Sequence, residues 1–168
     1  VNDLGFSCIK HFVIFNEPDG SWASTNGDYE MWKKMLFRFQ RKMKEYPGLT
    51  EKVTLAGPDV VADYRNKASN YDAEDWVKQS VLDADSIIGL YDVHSYPGQN
   101  EVRSGKYPEI LTRYKQHLPK GKKIVLGEAG YKYWRKADSL LMAEYNRRVE
   151  GHPFTKGSDC NMLCYDYF

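Results

Sequence analysis

Two glutamates stand directly behind short apolar runs, Glu17 in FVIFNEPDG and Glu128 in KIVLGEAGY, 111 residues apart. Two carboxylates brought into one pocket can divide labour. One, protonated, gives its proton to a departing oxygen; the other, ionised, attacks carbon, provided their surroundings push the two pKa values apart. That pairing is the chemistry of glycosidic bond cleavage. Further polar residues occupy equivalent places: Asp59 after VTLAGP, and His94 and Tyr96 at the end of IIGLYDVHSY. Either glutamate alone reads as a solvated loop residue, and only the two together at matching positions argue for a site. Asp59, behind Gly57-Pro58, reads as a turn residue.

The elements that must position these groups alternate along the chain. Residues 11–15, 53–57, 87–96 and 123–127 are apolar runs bounded by turn signals, the pattern of strands in a parallel sheet. Between them, residues 28–46, 72–84 and 107–118 read as helices, the first with Met31, Trp32, Met35, Leu36, Phe39 and Met43 at helical spacing. Asp28 is a fitting N-cap, and Pro47-Gly48 a stop. Residues 137–149 read as a fourth helix and 161–168 as a last apolar strand. Trp32 and Trp76 lie on helical faces and are expected in the core.

Strands alternating with helices imply parallel pairing through right-handed crossovers. A doubly wound open sheet would carry a glycine-rich phosphate turn after its first strand, and no GxGxxG or GxxxxGK[ST] occurs. Polar residues at nearly every strand's carboxyl end favour a (β/α)8 barrel, where chemistry gathers at that face. A full barrel has eight strands in about 250 residues. The 168 residues are therefore expected to be the C-terminal part of one barrel domain, about strands four to eight, with three strand–helix units ahead of Val1. Such a fragment would leave one sheet edge open and half a cleft, so it is expected to be inactive alone.

Bulk properties narrow the function. Lys+Arg 24 against Asp+Glu 23 leaves a net charge of +1, which gives no footprint for nucleic acid or an anionic membrane. No apolar stretch approaches the roughly 20 residues of a spanning helix. Three cysteines, Cys8, Cys160 and Cys164, without a CxxC pair, argue against a disulfide scaffold and a zinc site, and no metal or cofactor is expected. Cys160 and Cys164 are expected to face a core. Aromatic residues are 14% of the chain, a richness that suits sugar stacking as well as core packing.

Taken in order, FNEP, GPDVV, VHSYP and GEAGY resemble the retaining (β/α)8-barrel glycoside hydrolases, the clan of cellulases, mannanases, xylanases and β-glycosidases, nearest its cellulase-like and xylosidase-like branches. The resemblance spans nearly the whole chain. It implies Glu17 as general acid/base and Glu128 as nucleophile, with Asn16 donating to the sugar 2-hydroxyl. It implies that Tyr96 bonds the nucleophile and that His94 contacts substrate or the acid/base network. Asp92, on the same strand face as His94 and Tyr96, reads as a capping or pairing group. Trp22 and Trp134 are candidates for stacking on sugar or covering the rim. Many clan members carry a tryptophan platform at the end of strand eight; this chain has none after Trp134, so either Tyr165 or Tyr167 substitutes or the platform lies beyond Phe168.

The implied activity is hydrolysis of β-glycosidic bonds in oligo- or polysaccharides by double displacement, with carbohydrate and the N-terminal part of the barrel as partners. A polysaccharide substrate would imply a secreted or periplasmic protein, although no signal peptide is visible. Two alternatives stand beside it. One is a non-catalytic carbohydrate-binding barrel. The other is a barrel enzyme abstracting a proton next to a carbonyl, which commonly uses a metal or a Schiff-base lysine, and none of these strands ends in a lysine or in a clustered metal-ligand set.

Overall fold

The computed structural model describes residues 1–62, 64–105, 107–129, 131–133 and 163–165. Four parallel strands form one curled sheet in sequence order: β1 (His11–Val13), β2 (Thr54–Val61), β3 (Ile88–Ser95) and β4 (Ile124–Ala129). Helices α1 (Tyr29–Met43) and α3 (Ala73–Ala84) are the long crossovers. A short α2 (Leu49–Lys52) precedes β2, while α4 (Gln99–Arg103) and α5 (Tyr107–Lys115) join β3 to β4. The molecule is thus an α/β fold, with the carboxyl ends of all four strands on one side of the sheet.

Capping follows the sequence closely. Asp28 accepts a hydrogen bond from the Met31 N–H at 2.9 Å, and Asp72 from the Asp75 N–H at 2.9 Å, so each long helix begins on an acidic side chain that satisfies an orphan donor. The buried stripe of α1 is Tyr29, Trp32, Leu36 and Met43. Tyr29 and Trp32 meet Trp76 of α3 edge-on, with ring centroids 5.1 and 5.6 Å apart. Leu55, Val60, Ile88, Tyr91 and Val93 complete this core from the sheet.

Several expectations need correction. Met31, Met35 and Phe39 are exposed, because they lie on a second stripe of α1, turned away from the core. β1 is shorter than 11–15 and not buried: Phe12 is 46% exposed and stacks on Phe39 with centroids 5.2 Å apart. Among the described residues β1 pairs only with β2, so its outer edge is open. β2 does not stop at Gly57 but runs on through Pro58 and Asp59. The last apolar segment is not a fifth parallel strand. Its strand β6 (Leu163–Tyr165) pairs antiparallel with β5 (Tyr131–Tyr133) in a separate two-stranded sheet. The expected helix at 137–149, Trp134, Cys160 and Tyr167 lie outside the described residues. Cys8 is exposed, and among the described residues no helix is long and apolar enough to cross a membrane.

Candidate functional site

Two irregularities in the sheet shape the site. Pro58 pairs with Asp92 and Val60 with Val93, leaving Asp59 as the extra residue of a bulge in β2, in the left-handed region at φ 64°. A second bulge lies between β3 and β4: Val93 pairs with Leu126 but His94 with Glu128, so Gly127 is the extra residue. The Gly127 N–H donates to Asp92 Oδ1 at 2.7 Å, and a Cβ at this position would run into the Asp92 carboxylate. Bulges beside active sites re-aim side chains. Here they turn Asp59 inward and bring Glu128 level with His94.

Glu17 leaves β1 in a tight turn of its own. Its φ is 48°, a region that costs a residue with a Cβ of order 1–3 kcal/mol and that clusters at functional sites. The turn is closed from within. The Gly20 N–H donates to the Glu17 carbonyl at 2.9 Å, and the Pro18 carbonyl accepts from Thr25 Oγ1 at 2.6 Å and from the Gly27 N–H at 3.0 Å. Asp19, buried beneath, accepts from the Val61 N–H at 3.2 Å, and burial pushes its carboxyl up to about 7.

At the centre is His94, a buried imidazole. Its Nε2 lies 3.1 Å from Asp59 Oδ1; its Nδ1 lies 3.0 Å from Glu17 Oε1 and 3.4 Å from Glu128 Oε2. Burial alone would lower its pKa, but the hydrogen bonds to Asp59 and Glu17, with the charges of Asp59 and Glu128, outweigh it and raise the ring to about 9. His94 is accordingly an imidazolium at neutral pH, donating from both nitrogens. Asp92, below it, is held up at about 6 by burial and by the charge of Asp59.

The two glutamates converge: an oxygen of Glu17 and an oxygen of Glu128 lie within 4.8 Å of each other. Tyr96 donates its hydroxyl to Glu128 Oε1. Trp22 Nε1 donates to Glu17 Oε2 at 2.7 Å, and its ring packs against Tyr64 at 4.6 Å while remaining 55% exposed. Gly20 permits this fold-back, since a Cβ there would strike the Trp22 indole. Asn16 lies exposed next to Glu17 at the same strand end. Of the residues singled out in the sequence, then, Glu17, Glu128, His94, Tyr96 and Trp22 are brought into mutual contact, Asn16 adjoins them, and Trp134 lies outside the described residues.

Asp59 corrects its reading as a turn residue: it is buried and contacts both His94 and the Glu17 backbone. Its misleading feature was Gly57-Pro58-Asp59, a turn signal that here marks a bulge; its place behind an apolar run, shared with the other site residues, was the signal that could have found it. Asp19 was hidden in the same way by Asp19-Gly20. Two triplets, Glu17–His94–Glu128 and Asp59–Asp92–His94, each place ligand-capable atoms within 4.8 Å, as a metal site would.

No family model and no curated protein matches this chain.

Proposed function

We propose that the chain is the C-terminal part of a (β/α)8-barrel glycoside hydrolase that cleaves β-glycosidic bonds in oligo- or polysaccharides with retention. Glu17 is the acid/base and Glu128 the nucleophile. The observation that carries this reading is the approach of the two carboxylates to within 4.8 Å around a single histidine nitrogen. Retaining enzymes hold their pair about 5–5.5 Å apart, whereas inverting ones need about 6.5–9.5 Å to admit a water. Single oxygens approaching this closely are in keeping with the shorter, retaining arrangement.

In the first step the Glu128 carboxylate bonds to the anomeric carbon as the glycosidic C–O bond breaks, and the Glu17 proton passes to the departing oxygen. In the second, Glu17 takes a proton from water, whose oxygen displaces Glu128 from the sugar. Tyr96 aims Glu128 by donating its hydroxyl to Oε1. Trp22 offers an open ring face beside Glu17, suited to the apolar face of a sugar. Asn16 stands where it could donate to the sugar 2-hydroxyl. The open β1 edge and exposed Phe12 are where the preceding strand–helix units of the barrel would pack.

The test is a panel of aryl β-glycosides and polysaccharides assayed with the barrel-complete protein and its Glu17→Gln and Glu128→Gln variants. Both variants are expected to lose at least about 10²–10⁴ in kcat/KM, and azide is expected to rescue Glu128→Gln by forming a glycosyl azide, as a nucleophile's loss would allow. Full turnover by Glu128→Gln would sink the proposal. Sugar binding without hydrolysis in the wild type would instead favour a carbohydrate-binding barrel.

A further inference from the structure

We propose that Asp59 is the positioning residue of this site, one carboxylate that fixes both the backbone and, through His94, the side chain of the acid/base. The inference rests on the reading of Glu17 as acid/base. It is carried by a closed ring of contacts. Asp59 Oδ2 accepts from the Glu17 N–H at 3.2 Å; Glu17 Oε1 meets His94 Nδ1 at 3.0 Å; His94 Nε2 returns to Asp59 Oδ1 at 3.1 Å. Residues from three strand ends thus close one ring of hydrogen bonds. Both Glu17 and Asp59 sit at positive φ, and this ring supplies each with a hydrogen bond that holds it there.

The ring matters because the negative charge of the site migrates during the reaction. In the free enzyme Glu128 carries it. Once Glu128 has formed an ester with the sugar, and Glu17 has given up its proton, Glu17 carries it instead. His94 Nδ1 hydrogen-bonds Glu17 Oε1 at 3.0 Å and lies 3.4 Å from Glu128 Oε2 in an ion-pair contact, so the imidazolium charge stands beside whichever carboxylate is ionised. That service requires the imidazole to stay charged and to stay put, and Asp59 provides for both. The groups facing His94 are Glu17 beyond β1, Asp59 on β2, Asp92 on β3, Glu128 on β4 and, in the acid loop, Asp19. All are acidic. Asp59 alone also holds the Glu17 backbone.

The test compares Asp59→Gly and Asp59→Asn with the wild type. Glycine and asparagine both tolerate a left-handed backbone, so two independent variants can keep the fold, which circular dichroism checks. Titration of the His94 ring nitrogens by NMR is expected to show a midpoint lowered by about 1–3 pH units, the usual effect of removing an opposite charge at contact distance. kcat/KM is expected to fall about 10–100-fold with KM little changed, and its pH profile to gain a break near neutrality where His94 now titrates. An unmoved His94 midpoint with kcat/KM within about threefold of the wild type, in a folded variant, would overturn the assignment. The NMR arm needs no turnover. An inactive wild type whose His94 still responds to Asp59 would therefore discard the hydrolase reading while leaving the contact ring intact.

Discussion

Gly127 shows how much of this site depends on a residue with no side chain at all. It is the extra residue of the β3–β4 bulge, and the space where its Cβ would lie is taken by the Asp92 carboxylate, which accepts its N–H at 2.7 Å. Gly127→Ala therefore forces either Asp92 out of its pocket or β4 away from β3. Glu128, the next residue, would move with the strand and away from His94 and Tyr96. We expect Gly127→Ala to lower kcat/KM at least about 10²-fold, the order of loss that a misplacement of about 1 Å brings, with Tyr96 and His94 untouched in sequence. An alanine variant that keeps wild-type turnover would show that the bulge does not place Glu128. The residues with chemistry of their own were legible in the sequence. Glu17, Glu128, His94 and Tyr96 announce themselves by standing where apolar runs end. Gly127 was not, and Asp59 stood behind an apolar run but inside a turn signal, because a bulge depends on how two distant strands register, and register is a tertiary property that turn chemistry mimics.

Among the elements, α1 separates residue type from residue placement. Its apolar side chains form two stripes, and helical spacing alone accepts both as a core face. The structure buries Trp32 and Leu36, which meet α3 and the sheet, and leaves Met35 and Phe39 on the flank beside β1. The neighbour that decides between them is a strand with an open edge, and a sequence window on α1 contains nothing about that edge. Leu36→Ala is expected to cost about 2–5 kcal/mol, the range for emptying a fully enclosed aliphatic site. Met35→Ala, at a partly solvated position, should cost below about 1 kcal/mol. Denaturant melts of the two variants decide the matter, and equal losses would mean that the second stripe is as enclosed as the first. The caps and crossovers, by contrast, were readable locally, since Asp28 and Asp72 need only their own next three residues to act.

For the molecule as a whole, the buried charges under the site set how stability depends on pH. Asp19, at about 7, and Asp92, at about 6, hold their protons more tightly folded than unfolded, where a carboxylate titrates near 3.8. Their contribution is complete below that value and is lost as pH climbs through 6 and 7. His94 behaves alike at higher pH: its folded value of about 9 exceeds the unfolded 6.5, so its contribution is complete below 6.5 and lost on the way to 9. The opposite sign belongs to Glu74 and Asp83: hydrogen bonds from His117 and then Lys78 to Glu74, and from Gln79 and then Lys33 to Asp83, keep both below their ordinary values despite partial burial, so they weaken the fold only in acid. Each tenfold change in proton affinity is worth about 1.4 kcal/mol. Among these groups the balance places greatest stability at about pH 4, with Tm falling by about 5–10 °C between pH 5.5 and 9. Asp19→Asn, whose amide oxygen can still accept the Val61 N–H, should flatten the part of that decline below pH 7 and leave the part due to His94. Calorimetry across this range tests both halves, and a Tm that rises steadily from pH 5.5 to 9 would mean that the carboxylates and imidazole under the site are not held in these protonation states.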